Sequence, residues 1–143
     1  MLQANLPYSL VLIDSGQGTP TDLQQALTDQ QSKVRLSILS DKQQALAQLS
    51  PASDSLFRQR QVILFDLEPG QTTDWDLLRR LVTSKEHLSS PIIVLSNSTE
   101  TETIRKAYQE GAASFLARPQ SEQDWQALFC SLTRYWFETV TLP

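Results

Sequence analysis

The chain has 143 residues, 40% hydrophobic and 20% charged, which is the size and balance of one globular domain and excludes wholesale disorder. A formal net charge of -4 argues against nucleic acid or an anionic membrane as the main partner, and the lone Cys130 excludes an internal disulfide or a cysteine-rich zinc site. The opening Met-Leu-Gln-Ala-Asn-Leu-Pro has no basic leader, and no apolar run nears the roughly 20 residues of a membrane span, so the expected location is the cytoplasm.

In chain order, Ser9 to Asp14 (SLVLID) predicts a first buried strand. Thr19, Pro20 and Asp22 then mark a helix start, followed by a stripe of Leu23, Ala26 and Leu27. Val34 to Leu39 (VRLSIL) predicts the second strand. Asp41, with Gln44, opens a helix striped by Ala45, Leu46 and Leu49. Ser50 to Arg60, with Pro51 and several Ser and Gln residues, is expected to be a long connection within one domain. Gln61 to Asp66 (QVILFD) is the third strand, and Thr73 with Asp76 starts a helix carrying Leu77, Leu78, Leu81 and Val82.

Pro91 to Ser96 (PIIVLS) is the fourth strand. Thr99 with Glu102 starts a helix with Ile104, Ala107 and Tyr108, which Gly111 is placed to end in a left-handed conformation. Ser114 to Ala117 (SFLA) is the fifth strand. Ser121 with Asp124 opens the longest stripe: Trp125, Leu128, Phe129, Leu132 and Trp136. Three strands are rich in Val, Ile and Leu with little alternation, as when both faces of a parallel sheet are covered. Repeated strand–helix alternation therefore predicts one α/β domain with right-handed crossovers.

Ligands of such sheets collect at the carboxyl ends of the strands. This chain sets Asp14 and Ser15 after strand one, Asp66 after strand three, Ser96 after strand four and Arg118 after strand five. They are distant in sequence and are expected to converge in one shallow pocket.

The constellation resembles the receiver domain of bacterial response regulators, the CheY-like, flavodoxin-like family, over essentially the whole length. In that family an acidic pair follows strand one, a phosphoryl-accepting aspartate follows strand three, a Thr or Ser follows strand four, and Lys-Pro follows strand five. The matching positions here are Asp14-Ser15, Asp66, Ser96 and Arg118-Pro119, with Phe115 at the family's aromatic switch position. The resemblance implies a doubly wound, five-stranded (βα)5 three-layer sandwich. It implies a single receiver domain over 1–143, of which 138–143 form a short tail. It also implies signalling by protein contacts, not enzymatic turnover, with Asp66 phosphorylated by a sensor histidine kinase.

Tyr135-Trp136 and the ending Thr141-Leu142-Pro143 resemble the small single-domain regulators that partner phytochrome kinases. That likeness implies a phytochrome as partner and a homodimer, with Tyr135, Trp136 and Phe137 as interface candidates. Only one of Tyr135 and Phe137 can share the inward face of Trp125 and Trp136.

The family chemistry implies magnesium, which neutralises charge repulsion between a carboxylate and a phosphoryl donor and takes oxygen ligands. The implied ligands are Asp14, Asp66 and the backbone carbonyl of Glu68. Ser15 replaces the second acidic residue, so magnesium binding is expected to be weak or absent. Arg118 keeps the positive charge of the family lysine but is planar and forked. The loop Asp-Leu-Glu-Pro-Gly-Gln-Thr-Thr-Asp has its proline one place early and Asp74 where a glycine is common.

Two mechanisms follow: phosphorylation of Asp66 with a shift of Ser96 and Phe115, or a pseudo-receiver that binds partners without phosphorylation. Val-Ile-Leu-Phe-Asp66-Leu-Glu68 resembles the nucleophile strand of haloacid-dehalogenase-type phosphatases, but Glu68 replaces their second aspartate. Ser15-Gly16-Gln17-Gly18-Thr19 resembles the flavodoxin loop that holds an FMN phosphate, but Pro20 removes an amide from it. His87 suits a helix carboxyl end, Asp74 and Trp75 read as capping and packing, and Arg79-Arg80 and Lys85-Glu86 as a solvated face.

Overall fold

All five apolar runs form strands in the computed structural model, which describes residues 8–14, 34–45, 60–84 and 90–139. They are β1 (Tyr8–Ile13), β2 (Val34–Leu39), β3 (Arg60–Asp66), β4 (Ile92–Ser96) and β5 (Ser114–Ala117). They join in one sheet in the order β2-β1-β3-β4-β5, every pairing parallel. The expected first helix, with its Thr19 start, lies outside the described residues, as do Leu46, Leu49, most of the 50–60 connection, Ser15 and His87.

Side-chain alternation along these strands separates two cores. Leu10, Leu12, Val62, Leu64, Ile93 and Leu95 face one side, where α3 (Glu122–Thr133) covers them with Trp125, Phe129 and Leu132. The Trp125 and Phe129 rings are 5.9 Å apart and tilted by 54°, a favourable aromatic geometry. Val11, Ile13, Ile63, Phe65 and Val94 face the other side. There α1 (Thr72–Thr83) brings Trp75, Leu78 and Leu81, and α2 (Thr101–Gln109) brings Ala107. Helices on both faces make the chain a doubly wound α/β sandwich of the flavodoxin-like kind. Among the described residues no helix is long and apolar enough to cross a membrane.

The helix starts agree with expectation at two positions and correct it at two. Ser121 accepts from the Asp124 amide at 3.1 Å, and Asp41 accepts from the Gln43 amide at 3.0 Å to open a 3-10 turn, Lys42–Gln44. Thr73, in contrast, is already helical. The Gln71 amide bonds the Glu68 carbonyl at 3.0 Å, a turn through Pro69-Gly70 that starts α1 earlier with Gln71 as its cap. Thr99 likewise yields to Glu100, whose carbonyl accepts from the Ile104 amide at 3.0 Å.

Gly111 ends α2 as expected, at φ +112°. A side chain there would also put its Cβ 2.6 Å from Val82 Cγ1, so α1 packing and backbone conformation both demand glycine. Across this same connection, the Tyr108 hydroxyl accepts from the Phe115 amide of β5 at 3.1 Å.

The sequence pattern did not predict the continuation of α3 as a π-helical stretch, Arg134–Thr139. It begins where the Thr133 hydroxyl donates to the Phe129 and Cys130 carbonyls at 2.9 and 3.1 Å, a competition known to loosen the regular ladder.

Candidate functional site

Strand register brings the polar residues together. Ile13 pairs with Phe65, Asp66 with Leu95 and Ser96 with Ala117, so Asp14, Asp66, Ser96 and Arg118 fall in one row along the carboxyl edge of the sheet. Main-chain bonds extend that row beyond the strands. The Asp14 amide bonds the Leu39 carbonyl at 3.0 Å, and the Arg118 amide bonds the Ser96 carbonyl at 2.9 Å.

Arg118 is the hub. Its Nη1 and Nη2 each lie 3.3 Å from an Asp14 carboxylate oxygen, and Nη1 lies 3.0 Å from Asp66 Oδ1. The guanidinium also stands 5.2 Å from the centre of the Trp125 ring. The forked shape is used: one planar cation grips Asp14 with two nitrogens and still reaches Asp66, which a lysine ammonium cannot do in the same geometry.

Asp14 is completely buried, whereas the Asp66 side chain keeps some exposure to solvent. Burial, and next a hydrogen bond with Asp14, push the Asp66 carboxyl from 3.8 up to about 6. Attraction to Arg118 offsets part of that rise. Asp66 is thus mainly ionised at neutral pH, yet a more basic oxygen nucleophile than an ordinary aspartate.

Ser96 is fully buried at the end of β4, and its hydroxyl accepts from the Ser98 amide at 3.1 Å. Phe115 is partly buried against the α1–α2 side of the core, and Pro119 is half-buried beside Arg118. Gln120 joins the two loops at this edge, bonding Asn97 Oδ1 at 2.9 Å and the Arg118 carbonyl at 3.1 Å. Tyr135 and Trp136 lie apart from the row. Tyr135 is exposed, Trp136 packs on the α3-side core, and their rings meet edge to face at 5.0 Å. The side chain of Phe137 lies outside the described residues.

Two residues belong to the site that the strand-end pattern did not point to. Lys42, at the start of the 3-10 turn, donates to the Asp66 carbonyl at 2.6 Å and to Asp74 Oδ2 at 3.0 Å. Asp74 Oδ2 also accepts from the Glu68 amide at 2.9 Å. Both residues expected to cap and pack locally are buried, but only Trp75 does so, its Nε1 donating to the Pro69 carbonyl at 3.0 Å; Asp74 caps no helix and instead takes Lys42 from another element.

The donor set suits a hard divalent cation in kind. Asp14 and Asp66 offer neighbouring carboxylates, and the Glu68 carbonyl adds a neutral oxygen, although it already accepts from Gln71. It is sparse in number: among the described residues no three His, Cys, Asp or Glu side chains group to hold a metal. Arg118 supplies part of the neutralising charge.

No family model matches the chain. It is 31% identical over 93 residues to the two-component response regulator ORR3 of Oryza sativa subsp. indica, covering 65% of this chain and 67% of that one. It is 22% identical over 142 residues to response regulator Rcp1 of Synechocystis sp., covering 99% of this chain and 97% of that one. Among solved structures, the phosphorylated cyanobacterial phytochrome response regulator RcpA superposes with a TM-score of 0.77 at 21% identity, over 94% of this chain and 97% of that chain. The Mn(2+)-bound form of Rcp1 gives 0.69 at 19% identity, over 96% and 99%.

Proposed function

The chain belongs to the receiver domains of two-component response regulators, and on that premise we propose that Asp66 is its phosphoryl acceptor. The observation that carries this is the pairing of Asp66 with Asp14 under one buried guanidinium at the end of the sheet. Transfer from a phosphohistidine breaks its P–N bond, returns the electron pair to the imidazole nitrogen and forms a P–O bond at Asp66. Arg118 Nη1, 3.0 Å from Asp66 Oδ1, is at hand to balance the charge delivered there. Ser96 uses its oxygen on Ser98 and keeps its own O–H as a donor towards a phosphoryl oxygen. Asp14, Asp66 and the Glu68 carbonyl would hold a divalent ion, magnesium in the cell, weakly; when bound, it screens the carboxylates from the incoming phosphoryl group.

The donor is a sensor histidine kinase of the cytoplasm. A phytochrome is proposed because RcpA is described as a phytochrome response regulator and the two chains overlap over nearly their full lengths. Phe115 and Ser96 relay the state of Asp66 to the face made by α2, β5 and α3. The exposed Tyr135 beside Trp136 supports a homodimer through the end of α3, which sedimentation velocity reads directly.

Incubation with acetyl phosphate and magnesium should add one phosphoryl group by intact mass, and Asp66→Asn should abolish it. An unmodified wild type whose kinase binding survives Asp66→Asn would overturn the acceptor role and leave a receiver that works by binding alone.

A further inference from the structure

Lys42 reaches the acceptor from the side that Arg118 does not. Alternation along β3 turns Phe65 towards α1 and α2, and turns Asp66 the other way, towards Asp14. The Lys42 ammonium lies 5.3 Å from the centre of the Phe65 ring, so it approaches the Asp66 peptide from the α1–α2 side. There it is shared between the Asp66 carbonyl at 2.6 Å and Asp74 Oδ2 at 3.0 Å. The same Asp74 oxygen takes the Glu68 amide at 2.9 Å. One ion pair therefore holds the main chain at both Asp66 and Glu68, two of the three residues proposed to offer oxygens to a divalent ion. Side-chain exposures of 16% for Lys42 and 9% for Asp74 keep the pair from loosening into solvent.

The rest of the loop is held locally: Trp75 of the adjoining α1 donates to the Pro69 carbonyl and the Gln71 amide to the Glu68 carbonyl. Lys42 comes from the far side of β1, off the end of β2, and ties the loop to a separate element of the fold.

We propose that Lys42 is a positioning residue for the acceptor site: with Asp74 it fixes the Asp66–Glu68 main chain in the geometry that a divalent ion and a phosphoryl donor require. This rests on the reading of Asp66 as the acceptor. Two physical effects of Lys42 oppose each other and can be told apart. As a nearby positive charge it repels a divalent ion, so charge alone predicts that Lys42→Met tightens metal binding. As a strut it holds the oxygens in place, so positioning predicts weaker binding, by about tenfold on the scale of other residues that orient metal ligands.

The test is titration of the full chain with Mn2+ alone, followed by tryptophan fluorescence; Trp75, in the first turn of α1, is bonded to the same loop. Lys42→Met should raise the Mn2+ Kd about tenfold, and Lys42→Arg should restore most of the affinity. Because Lys42→Met leaves the Asp74 carboxylate without its ammonium, Lys42→Met/Asp74→Asn is measured beside it and should show the same loss while keeping the wild-type circular dichroism. An unchanged or tighter Kd in either folded variant overturns the inference. If the wild type binds Mn2+ and takes phosphate from acetyl phosphate while Lys42→Met matches it in both, the strut alone is wrong. If the wild type does neither, the acceptor reading fails and takes the strut with it.

Discussion

Arg118 and Arg79 each bridge two carboxylates, Arg118 between Asp14 and Asp66 at the end of the sheet, Arg79 between Asp76 and Glu110 across α1 and α2. Their surroundings are opposite: the Arg118 and Asp14 side chains are 7% and 0% exposed, those of Arg79 and Asp76 48% and 64%. At the surface, water and salt screen the attraction, and ordering two long side chains consumes most of what remains. In the buried cluster the charges have already lost their water, so the net stability gained is small, but removing one partner is costly. The contrast shows where this fold buries charge at little net gain: at the strand ends, where two carboxylates share one guanidinium.

The largest test of that contrast is Arg118→Met. It strips the guanidinium from the fully buried Asp14 and should cost about 3 kcal/mol in urea unfolding. Arg79→Ala, on the exposed side, should cost far less and become neutral in high salt. Comparable losses in the two variants would erase the distinction. Between them lies Asp66→Asn. Asp66 holds its proton up to about pH 6 in the fold against 3.8 for an ordinary aspartate, so the native state binds more protons across that window. Its contribution to stability is therefore full below 3.8 and lost as pH rises through about 6. Asp66→Asn should be more stable than wild type by about 1 kcal/mol at pH 7.5, after allowance for partial exposure, with the gain vanishing near pH 4. A constant difference across pH would show that the carboxylate is not under strain.

Much of this arrangement was legible beforehand because its causes are local. A strand buried on both faces must be apolar at nearly every position, so VILF before Asp66 and IIVL before Ser96 announced themselves, and the parallel order then forced Asp14, Asp66, Ser96 and Arg118 into one row. Lys42 is not legible in the sequence, because a lysine after a helix-capping aspartate has no pattern of its own. The available signal is position: Asp41-Lys42 follows the carboxyl end of β2, just as the other site residues follow the ends of their strands. Asp74 was noticed in place of a common glycine, but its partner is 32 residues away and sequence spacing could not join them. The misplaced starts at Thr73 and Thr99 have a similar origin. Backbone turns through Glu68–Gln71 and at Glu100 fixed those helices before a side-chain cap was needed.

The bond from the Phe115 amide to the Tyr108 hydroxyl has a meaning for how another chain can approach this edge of the sheet. β5 is an outer strand, and an outer strand offers free amides to any extended chain that drifts alongside. By occupying one of those amides with a side chain of its own neighbouring helix, the protein interrupts the template on which a stranger's strand could zip. Any contact on this flank is left more to side chains, whose shape and charge can discriminate between partners, than to the backbone.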